Sequence, residues 1–564
     1  MDMRLTIAQA LSPLCGVDCA ELSEWIEVPK NTELGDYAFP CFRLARTLKK
    51  APPVIANELK EQLVFPEGIS RVETVGGYLN FFADKSLFAN SVIGRVLNEG
   101  ENYGKSDEGR GKCVVVEYSS INIAKPMHIG HLSSTVIGNS LKRIYDRLGY
   151  DTVSINHLGD WGTQFGKMIV AFKKWGSDEL LEKGSVRDLV ALYVKFHEQA
   201  ETHPELEDEA RAWFKKIEQH DPEAWELFTK FKDVTMKEVS RVYDLLGVTF
   251  DSYAGESFYE DKMPAVVEEI KSKGIGKFDK GALIVDLSEY DMPPCIILKS
   301  DGSTIYATRD IAAAKYRKAT YDFYKLLYVV AYQQNLHFKQ FFKVLEMLGD
   351  TWVKDCEHVN FGMVSIEDGS LSTRKGNIVY LEDVLNAAIE KTRAIIEEKS
   401  PDLDNKDEVA KAVGVGAVVW GTLYNSRIKD ITFSYAKALN FDGETGPYVQ
   451  YTHARCCSVL RRAEGYSLDK ADISVLSDEY STALIKAIAD LPGVIEDAAR
   501  KNEPYLICRA VIAICSSFNR FYYENRIMDD NEGTRSARLA LTDAARCAIK
   551  SGLYLVGLQA PERM

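Results

Sequence analysis

The sequence predicts three domains: a small α+β domain, a central α/β domain with a doubly wound parallel sheet, and an all-α domain at the C-terminal end. The central domain is indicated by CVVVEYSS from Cys113, a long amphipathic segment and then DTVSINHLGD. A continuous β-branched run followed by a long amphipathic segment is typical of a parallel sheet with helices on both faces. Beyond Tyr380 the strand-like runs fade and apolar residues recur with the helical period as far as Leu558, which predicts the all-α domain.

Changes in composition place the domain boundaries. We predict the α+β domain over residues 1–108, because helical stretches mix there with alternating apolar positions and end in the turn-rich segment EGENYGKSDEGRGK. The α/β domain is expected over residues 109–440 with a charged helical insertion at about 178–251, and the helical domain over residues 441–564. Further strand candidates are ALIVDLSEY, PCIILKSDG, KLLYVVAY and HVNFGMVS.

Length and composition exclude several classes of protein. The 564 residues are too many for a single small module, at about 150 residues per domain. The 46% hydrophobic and 27% charged content matches folded globular proteins and excludes a disordered or collagen-like chain. No uncharged apolar run reaches the roughly 18 residues of a membrane span, and the N-terminus lacks the pattern of a secretory signal. We therefore expect no membrane association.

Cysteine usage and charge distribution bear on location and partners. The eleven cysteines are an odd number and form no CxxC pair, so we expect reduced thiols in the cytoplasm and no metal site. The net charge of −14 by itself argues against a nucleic-acid partner. From Tyr448 onward, however, acidic and basic side chains balance and arginines outnumber lysines, which permits a surface that binds a polyanion.

The tetrapeptide His128-Ile129-Gly130-His131 is the most informative motif. It stands where the first predicted strand gives way to a helix, and the free N–H groups and dipole of a helix start bind anions. Histidine side chains at this place can donate hydrogen bonds to the phosphates of ATP, and Gly130 leaves room for an adenine ring. Lys125 adds a positive charge three residues upstream. The alternative is a pair of histidines that only cap the helix.

Five segments, in order along the chain, carry a resemblance to a known family: NIAKPMHIGHL, NHLGDWGTQFG, IYATRDIAAA, QQNLHF and LSTRKGN. They are similar to the successive blocks of class I arginyl-tRNA synthetases over nearly the full length. The resemblance implies a Rossmann-type catalytic domain, an N-terminal domain that contacts the tRNA elbow, and a helical domain that binds the anticodon.

The activity that the resemblance implies is that of an arginine–tRNA ligase. L-arginine would react with ATP to give arginyl-adenylate, which then transfers its acyl group to the 2′-OH of the terminal adenosine of tRNA-Arg. Mg²⁺ is expected to accompany ATP rather than to occupy a dedicated protein site. The expected partners are tRNA-Arg, L-arginine and ATP, and we expect a monomer.

One block departs from the family pattern. Class I synthetases carry a KMSKS loop after the last strand of the sheet. The aligned residues here are Ser370, Leu371, Ser372, Thr373 and Arg374. Both lysines are thus missing. The resemblance implies that Lys125 supplies the lost charge, that Arg374 and Lys375 assist catalysis, and that Ser372 contacts ATP. On its own, STRKG is equally typical of a solvated basic turn.

A pocket that selects arginine should offer carboxylates and a hydroxyl, because a guanidinium is planar, permanently charged and rich in donors. Tyr306 and Asp310 are four residues apart and would lie on one helical face, and Glu117 ends the first predicted strand. The resemblance assigns these three residues to the arginine side chain. As alternatives, Asp310 could pair with Arg309 or Lys315, and Glu117 could form a strand-end salt bridge.

The resemblance also assigns residues to the other end of the amino acid. Asn122 and Gln334 would contact the α-amino and carboxylate groups of arginine, with Trp161 packing nearby. Trp161 could equally be an ordinary core residue.

Candidate RNA contacts come from two segments. Tyr78, Asn80 and Phe82 alternate along a strand-like segment and would share one face, which suits base stacking and one hydrogen bond to a base edge. The family places its D-loop contact in this region, although a half-buried apolar strand face would look the same. GPYVQYTHARCCSVLRR resembles the opening of the anticodon-binding domain and makes Tyr448 and Arg455 candidates, but tyrosines at helical spacing more often belong to a core.

Two other functions remain open at this level. A class I synthetase for cysteine or methionine is disfavoured by the candidate pocket carboxylates and by the lack of a cysteine-and-histidine zinc pattern. A noncatalytic tRNA-binding paralogue is disfavoured by both histidines and Lys125, since a protein that only binds RNA has no use for phosphate chemistry.

Overall fold

The N-terminal segment forms an antiparallel sheet covered by helices. The computed structural model describes residues 3–29, 31–66, 68–367 and 379–564. The elements of this segment are α1 (Met3–Cys15), α2 (Cys19–Trp25), β1 (Tyr37–Pro40), α3 (Ala45–Leu48), α4 (Pro52–Gln62), β2 (Ile69–Val75), β3 (Tyr78–Ala83) and α5 (Lys85–Glu99). The strand order is β1-β3-β2, and Leu79 and Phe81 of β3 are fully buried in a core with residues of α1 and α4.

A parallel sheet, which the sequence predicts, lies in the part of the chain that follows the N-terminal segment, and it has four strands. Its strands are β4 (Cys113–Glu117), β5 (Asp151–Ile155), β9 (Lys325–Tyr328) and β10 (Cys356–His358). The strand order is β10-β9-β4-β5, and every neighbouring pair is parallel. Val114, Val115 and Val116 of β4 are completely buried, which requires cover on both faces because side chains alternate along a strand.

Helices and two smaller sheets surround this parallel sheet. These further elements are α6 (Leu132–Arg147), α7 (Thr163–Trp175), α8 (Asp178–Lys183), α9 (Val186–Ala200), α10 (Glu205–Glu218), α11 (Pro222–Leu246), α12 (Met263–Ser272), β6 (Gly276–Asp279), β7 (Ala282–Val285), β8 (Cys295–Leu298), α13 (Tyr306–Tyr321), α14 (Asn335–Met347), β11 (Val364–Ile366), α15 (Leu381–Lys399), α16 (Lys406–Leu423), β12 (Ile431–Phe433) and α17 (Tyr435–Ala438). Strands β6, β7 and β8 form an antiparallel sheet, whereas β11 and β12 pair in parallel. Helices α8 to α11 occupy the charged stretch that the sequence marks as an insertion.

Long helices form the C-terminal part. They are α18 (Gly446–Arg462), α19 (Glu479–Lys501), α20 (Tyr505–Glu524) and α21 (Glu532–Leu555). Helix α16 is buried along most of its length, and a Cβ on Gly414 would come within 2.8 Å of the backbone of Ile389. Within the described residues, no helix is both long and apolar enough to cross a membrane.

The chain forms two compact units. One consists of Met1–Tyr103, Cys456–Asp490 and Ile514–Ala548, and the other of Gly104–Arg455, Leu491–Ala513 and Ile549–Met564. The second unit contains the parallel sheet. Within it, the hydroxyl of Ser140 on α6 donates to the carbonyl of Leu555 at 2.7 Å, and Arg147 donates to the hydroxyl of Ser551 at 2.6 Å. The end of the chain therefore packs on the helix that follows the first parallel strand.

Candidate active site

The two histidines of the HIGH sequence lie in a 3₁₀ turn, Ile129–His131, that leads directly into α6. Nδ1 of His128 accepts a hydrogen bond from the N–H of Gly130 at 3.1 Å, and Nδ1 of His131 accepts from the N–H of His128 at 3.2 Å. A neutral imidazole whose Nδ1 accepts carries its proton on Nε2. The backbone thus favours the Nε2–H tautomer of His128. Nδ1 of His131 also lies 3.3 Å from the carbonyl oxygen of His128, and the two ring centroids are 4.0 Å apart.

Both histidines favour the neutral form. Burial lowers the pKa of His131 to about 4, with a smaller lowering contribution from His128. Burial also lowers the pKa of His128, and the positive charge of Lys125 lowers it further. At neutral pH neither ring therefore adds a charge, and His128 offers its Nε2–H as a donor.

The loop between β4 and this turn has an unusual backbone. Three non-glycine residues have positive φ: Ser119 (68°), Ser120 (47°) and Ala124 (60°). Such conformations cost about 1–3 kcal/mol each and persist where neighbouring groups hold them. Here the N–H of Ser119 donates to Oγ of Ser134 at 2.9 Å, and the N–H of Ala124 donates to Oγ1 of Thr235 at 3.1 Å. The next residue, Lys125, is exposed.

Asn122 of the same loop is exposed and lies against the NHLGDWG segment. A Cβ on Gly159 would come within 2.4 Å of Oδ1 of Asn122, so only glycine permits this approach. Asp160, which is completely buried, accepts from Nζ of Lys232 and from the hydroxyl of Ser257, each at 2.8 Å. The segment beside Asn122 is thereby fixed.

Trp161 is 5% exposed and packs edge-on against Phe214 and Phe228, with ring centroids 5.4 and 6.3 Å away. These contacts are those of a core residue, which is the alternative interpretation given above for Trp161. Its neighbour Asp160 lies in the same fixed segment beside Asn122. Gln334 ends a 3₁₀ turn just before α14 and is exposed.

Glu117 is paired with a residue that sequence reasoning missed. Nη1 of Arg317 donates to Oε2 of Glu117 at 2.5 Å, and the Arg317 side chain is only 1% exposed. Burial alone would lower the pKa of Arg317, but the charge of Glu117 raises it well above its usual range. Arg317 stands seven residues after Asp310, on the same face of α13, and this spacing was the available signal.

Asp310 lies at the centre of the candidate pocket. Its Oδ2 accepts from Nε2 of His337 at 2.5 Å, and Nε2 of His157 lies 3.9 Å from its Oδ1. Burial alone would raise the pKa of Asp310, but the hydrogen bond and charge of His337, with smaller contributions from His157 and Arg317, hold it below its usual value. Asp310 is therefore an ionised acceptor. Its partners His157 and His337 belong to the NHLGDWG and QQNLHF segments, which were the available signal.

Arg309 and Lys315, the alternative partners considered for Asp310, form ion pairs with other carboxylates. Arg309 pairs with Glu256 at 2.9 Å, and Lys315 pairs with Asp350 at 2.6 Å. Tyr306, one turn before Asp310, is 56% exposed, and its ring lies 5.1 Å from that of His337. The structure thus brings together Tyr306 and Asp310 through a shared neighbour.

The residues that align with the KMSKS sequence fall between 367 and 379, outside the described part of the chain. Ser372, Arg374 and Lys375 lie outside the described residues. The chain resumes at Val379, whose carbonyl accepts from the N–H of Ile129 at 3.0 Å. The described residues that follow the STRKG sequence therefore pair with the HIGH turn.

The candidate RNA contacts in the N-terminal segment share the face of β3 opposite to Leu79 and Phe81. Tyr78 and Phe82 are half-buried, whereas Asn80 is only 3% exposed. The guanidinium of Arg71 lies over the Phe82 ring at 3.9 Å.

The candidates on α18 are half-buried. Tyr448 lies in the first turn, and the guanidinium of Arg455 lies 5.0 Å from the ring centre of the exposed Tyr451.

Within the described residues, no group of three or more metal-ligating side chains occurs.

Comparison with known families matches three consecutive parts of the chain. Residues 92–435 match the family of class I (R) tRNA synthetases, catalytic domain. Residues 449–564 match the DALR anticodon binding domain, and residues 1–83 match the arginyl tRNA synthetase N-terminal domain.

Individual relatives match along nearly the whole chain. The chain is 56% identical over 544 residues to the arginine–tRNA ligase of Clostridioides difficile (strain 630), with 96% of each chain covered. It is 50% identical over 565 residues to the arginine–tRNA ligase of Clostridium botulinum (strain Alaska E43 / Type E3), with 100% of each chain covered. The solved arginyl-tRNA synthetase of Thermus thermophilus superposes with a TM-score of 0.81 at 25% identity, covering 100% of this chain and 99% of that one.

Proposed function

The chain belongs to the class I arginyl-tRNA synthetase family, and we propose that it works as an arginine–tRNA ligase with the residue roles given below. The carboxylate of L-arginine attacks the α-phosphate of ATP, and diphosphate leaves. The 2′-OH of the terminal adenosine of tRNA-Arg then attacks the acyl carbon of arginyl-adenylate, and AMP leaves. The protein contributes by positioning the reactants and stabilising charge.

The ATP site is proposed around the HIGH turn. Nε2–H of His128 and His131 would donate to the phosphate oxygens, and Gly130 would let the adenine approach the backbone. Lys125 would supply a permanent positive charge as charge builds up on the phosphates. Ser372, Arg374 and Lys375 would contribute from the segment of the chain that follows β11.

The arginine site is proposed around Asp310, and this residue is the observation that carries the function. An ionised, largely buried carboxylate beside two histidines offers a guanidinium what it needs, two acceptor oxygens in one plane. Tyr306 would add its hydroxyl, and Glu117, at the end of β4, would contribute its carboxylate to binding of the arginine side chain.

Further contacts are proposed for the rest of the amino acid. Asn122 and Gln334, both exposed beside the pocket segments, would bind the α-amino and carboxylate groups. Trp161 would support this end of the pocket through its packing.

Mg²⁺ is proposed to enter with ATP. The ion would be held mainly by phosphate oxygens, because Mg²⁺ keeps several of its waters and usually binds together with substrate phosphates. Bound in that way, Mg²⁺ would neutralise charge on the phosphates.

The tRNA is proposed to contact both ends of the chain. A domain at residues 1–108 would meet the elbow through Tyr78 and Phe82, whereas Asn80, only 3% exposed, is too buried for this contact. A domain at 441–564 would meet the anticodon with the help of Tyr448 and Arg455. The catalytic domain would span residues 109–440. We further propose that the protein is a monomer. We place it in the cytoplasm, because the eleven cysteines are free thiols and the cytoplasm keeps thiols reduced.

Amino-acid-dependent charging tests the proposal. Purified protein, ATP, Mg²⁺ and total tRNA are incubated with each amino acid in turn, and AMP formation and acylated tRNA are measured. Of the amino acids tested, only arginine should give AMP and charged tRNA. Charging with cysteine or methionine instead would indicate a different synthetase, and tRNA binding without AMP formation would indicate a noncatalytic paralogue.

A further inference from the structure

The carboxylates in and beside the proposed arginine pocket are not paired alike. Glu117 pairs with Arg317 at 2.5 Å, and Glu256 pairs with Arg309 at 2.9 Å. In the part of the chain that the structure describes, Asp310 forms its ion pairs with histidines and with no lysine or arginine. Asp310 is thus the carboxylate whose partner can change its charge.

His337 holds Asp310 closely and has little freedom. Its Nε2 donates to Oδ2 of Asp310 at 2.5 Å, and its side chain is 13% exposed. Its ring packs among those of Tyr306, Phe338 and Phe341, with centroids 5.1, 5.5 and 5.3 Å away. The ring therefore cannot swing away from Asp310 without leaving an aromatic pocket.

Two cations beside one carboxylate disfavour each other. A guanidinium bound to Asp310 would lie next to the His337 ring, so an imidazolium there would oppose it. A neutral His337 with its proton on Nε2 still donates to Oδ2, and only the Nδ1 proton needs to be lost.

We propose that His337 is a positioning residue that makes arginine binding compete with a proton. In the free protein a second proton, on Nδ1, would give Asp310 a cationic partner, and the bound guanidinium takes over that role. When the guanidinium of L-arginine binds Asp310, the Nδ1 proton of His337 passes to the solvent, while Nε2–H keeps Asp310 in place. This rests on the proposed function, in which Asp310 receives the guanidinium.

Other charged or titratable groups also face the Asp310–His337 pair. They are His157, Glu256, Tyr306, Arg317, Tyr328 and His358. Burial raises the pKa of Tyr328 and lowers that of His358 to about 4, so both stay neutral near neutral pH. Burial also raises the pKa of Glu256. The groups whose protons the test must distinguish from that of His337 are therefore His157 and Glu256.

Calorimetric titration of the full-length protein with L-arginine tests the proposal. The heat is measured in buffers of different ionisation enthalpy at a pH near the ordinary histidine value of about 6.5. The difference between buffers gives the protons released per arginine. A fraction of one proton should be released, and below the pKa of the pair the Kd for arginine should rise about tenfold per unit fall in pH.

Matched variants identify the source of the proton. His337→Gln keeps a donor for Asp310 but cannot titrate, so arginine should bind with no proton release and a Kd independent of pH in this range. His203→Gln is the control, because His203 is 57% exposed and lies outside the pocket, and it should behave like the unmodified protein. His157→Gln should also retain proton release.

The outcomes separate the proposal from the proposed function. No arginine binding by the unmodified protein at any pH would overturn the proposed function. Arginine binding without proton release, unchanged release in His337→Gln, or release abolished by His157→Gln would overturn only the role of His337. Loss of arginine binding in a folded His337→Gln protein would also overturn it, because glutamine preserves the donor.

Discussion

Arg317 donates from Nη1 to Oε2 of Glu117 at 2.5 Å, and both side chains are less than a tenth exposed. Removing one partner of a buried ion pair leaves an uncompensated charge and typically costs about 3–5 kcal/mol. We expect Arg317→Met to lower the free energy of unfolding by about this amount, as measured by urea denaturation.

Two further variants check that the loss comes from the ion pair. Lys318→Met, next along α13, removes a cation whose partner Asp322 is 92% exposed, and it should cost less than about 1 kcal/mol. Adding Glu117→Met to Arg317→Met removes the stranded charge and should recover stability. A double variant that is less stable than Arg317→Met would contradict the explanation.

His131 should make stability depend on pH. Its folded-state pKa is about 4, below the usual histidine value of about 6.5, so the unfolded chain binds more protons between these values. Stability contributed by the neutral ring is complete above about pH 6.5 and is lost as the pH falls toward 4, by about 2 kcal/mol between pH 7 and pH 5. Urea denaturation at both pH values should show this loss.

His131→Asn is the matched variant, because its side-chain oxygen can still accept from the N–H of His128 but cannot titrate. The pH-dependent loss should be smaller in this variant by that amount. An identical pH dependence in both proteins would show that His131 is not buried in the neutral form.

Gly130 should be indispensable to the HIGH turn. A Cβ there would lie 2.8 Å from Cε1 and 2.9 Å from Nδ1 of His128, so Gly130→Ala must displace that ring. A displacement of about 1 Å can cost about 100-fold in rate, and we expect a loss of this order in kcat for tRNA charging. Gly94→Ala is the control, since Gly94 lies in α5 with nothing within 4 Å of its Cβ position. If Gly130→Ala charges tRNA as fast as Gly94→Ala, the ring is not held as described.

Lys125 should act mainly in the transition state. It is exposed beside His128, and its proposed role is to stabilise charge that develops on the phosphates. Lys125→Ala should lower kcat by roughly 100-fold with little change in the KM for arginine. Lys183→Ala, which removes a lysine 74% exposed in α8, should leave both constants unchanged. A raised KM for arginine at constant kcat would place Lys125 in ground-state binding instead.

The parallel sheet could be predicted because β4 is buried on both faces and its sequence is a continuous β-branched run. The second sheet could not be predicted in the same way. ALIVDLSEY and PCIILKSDG are recognisable as strands, and they form β7 and β8, which pair directly with each other, but the third strand of this sheet, β6, pairs with the other edge of β7. Strand β6 is short and largely exposed, with the sequence GKFD, so it carries no apolar pattern.

The site was predictable where its residues are close in sequence. His128 and His131 share one turn, and Tyr306 and Asp310 share one helical face. The partners of the carboxylates come from afar, because Arg317 stands 200 residues from Glu117 and His337 stands 27 residues from Asp310. The spacing on α13 and the NHLGDWG and QQNLHF segments mark these partners as candidates, but which of them pair is decided by tertiary packing.

The most direct test of the arginine site is the steady-state kinetics of Asp310→Asn. Asparagine keeps the size of the side chain but removes the charge that pairs with the guanidinium. Loss of one partner of a desolvated charge pair costs about 2–5 kcal/mol, so kcat/KM for arginine should fall roughly 30-fold or more while the KM for ATP stays the same. Asp322→Asn, at the exposed end of α13, should match the unmodified protein. An unchanged kcat/KM for arginine in Asp310→Asn would contradict the placement of the guanidinium at Asp310.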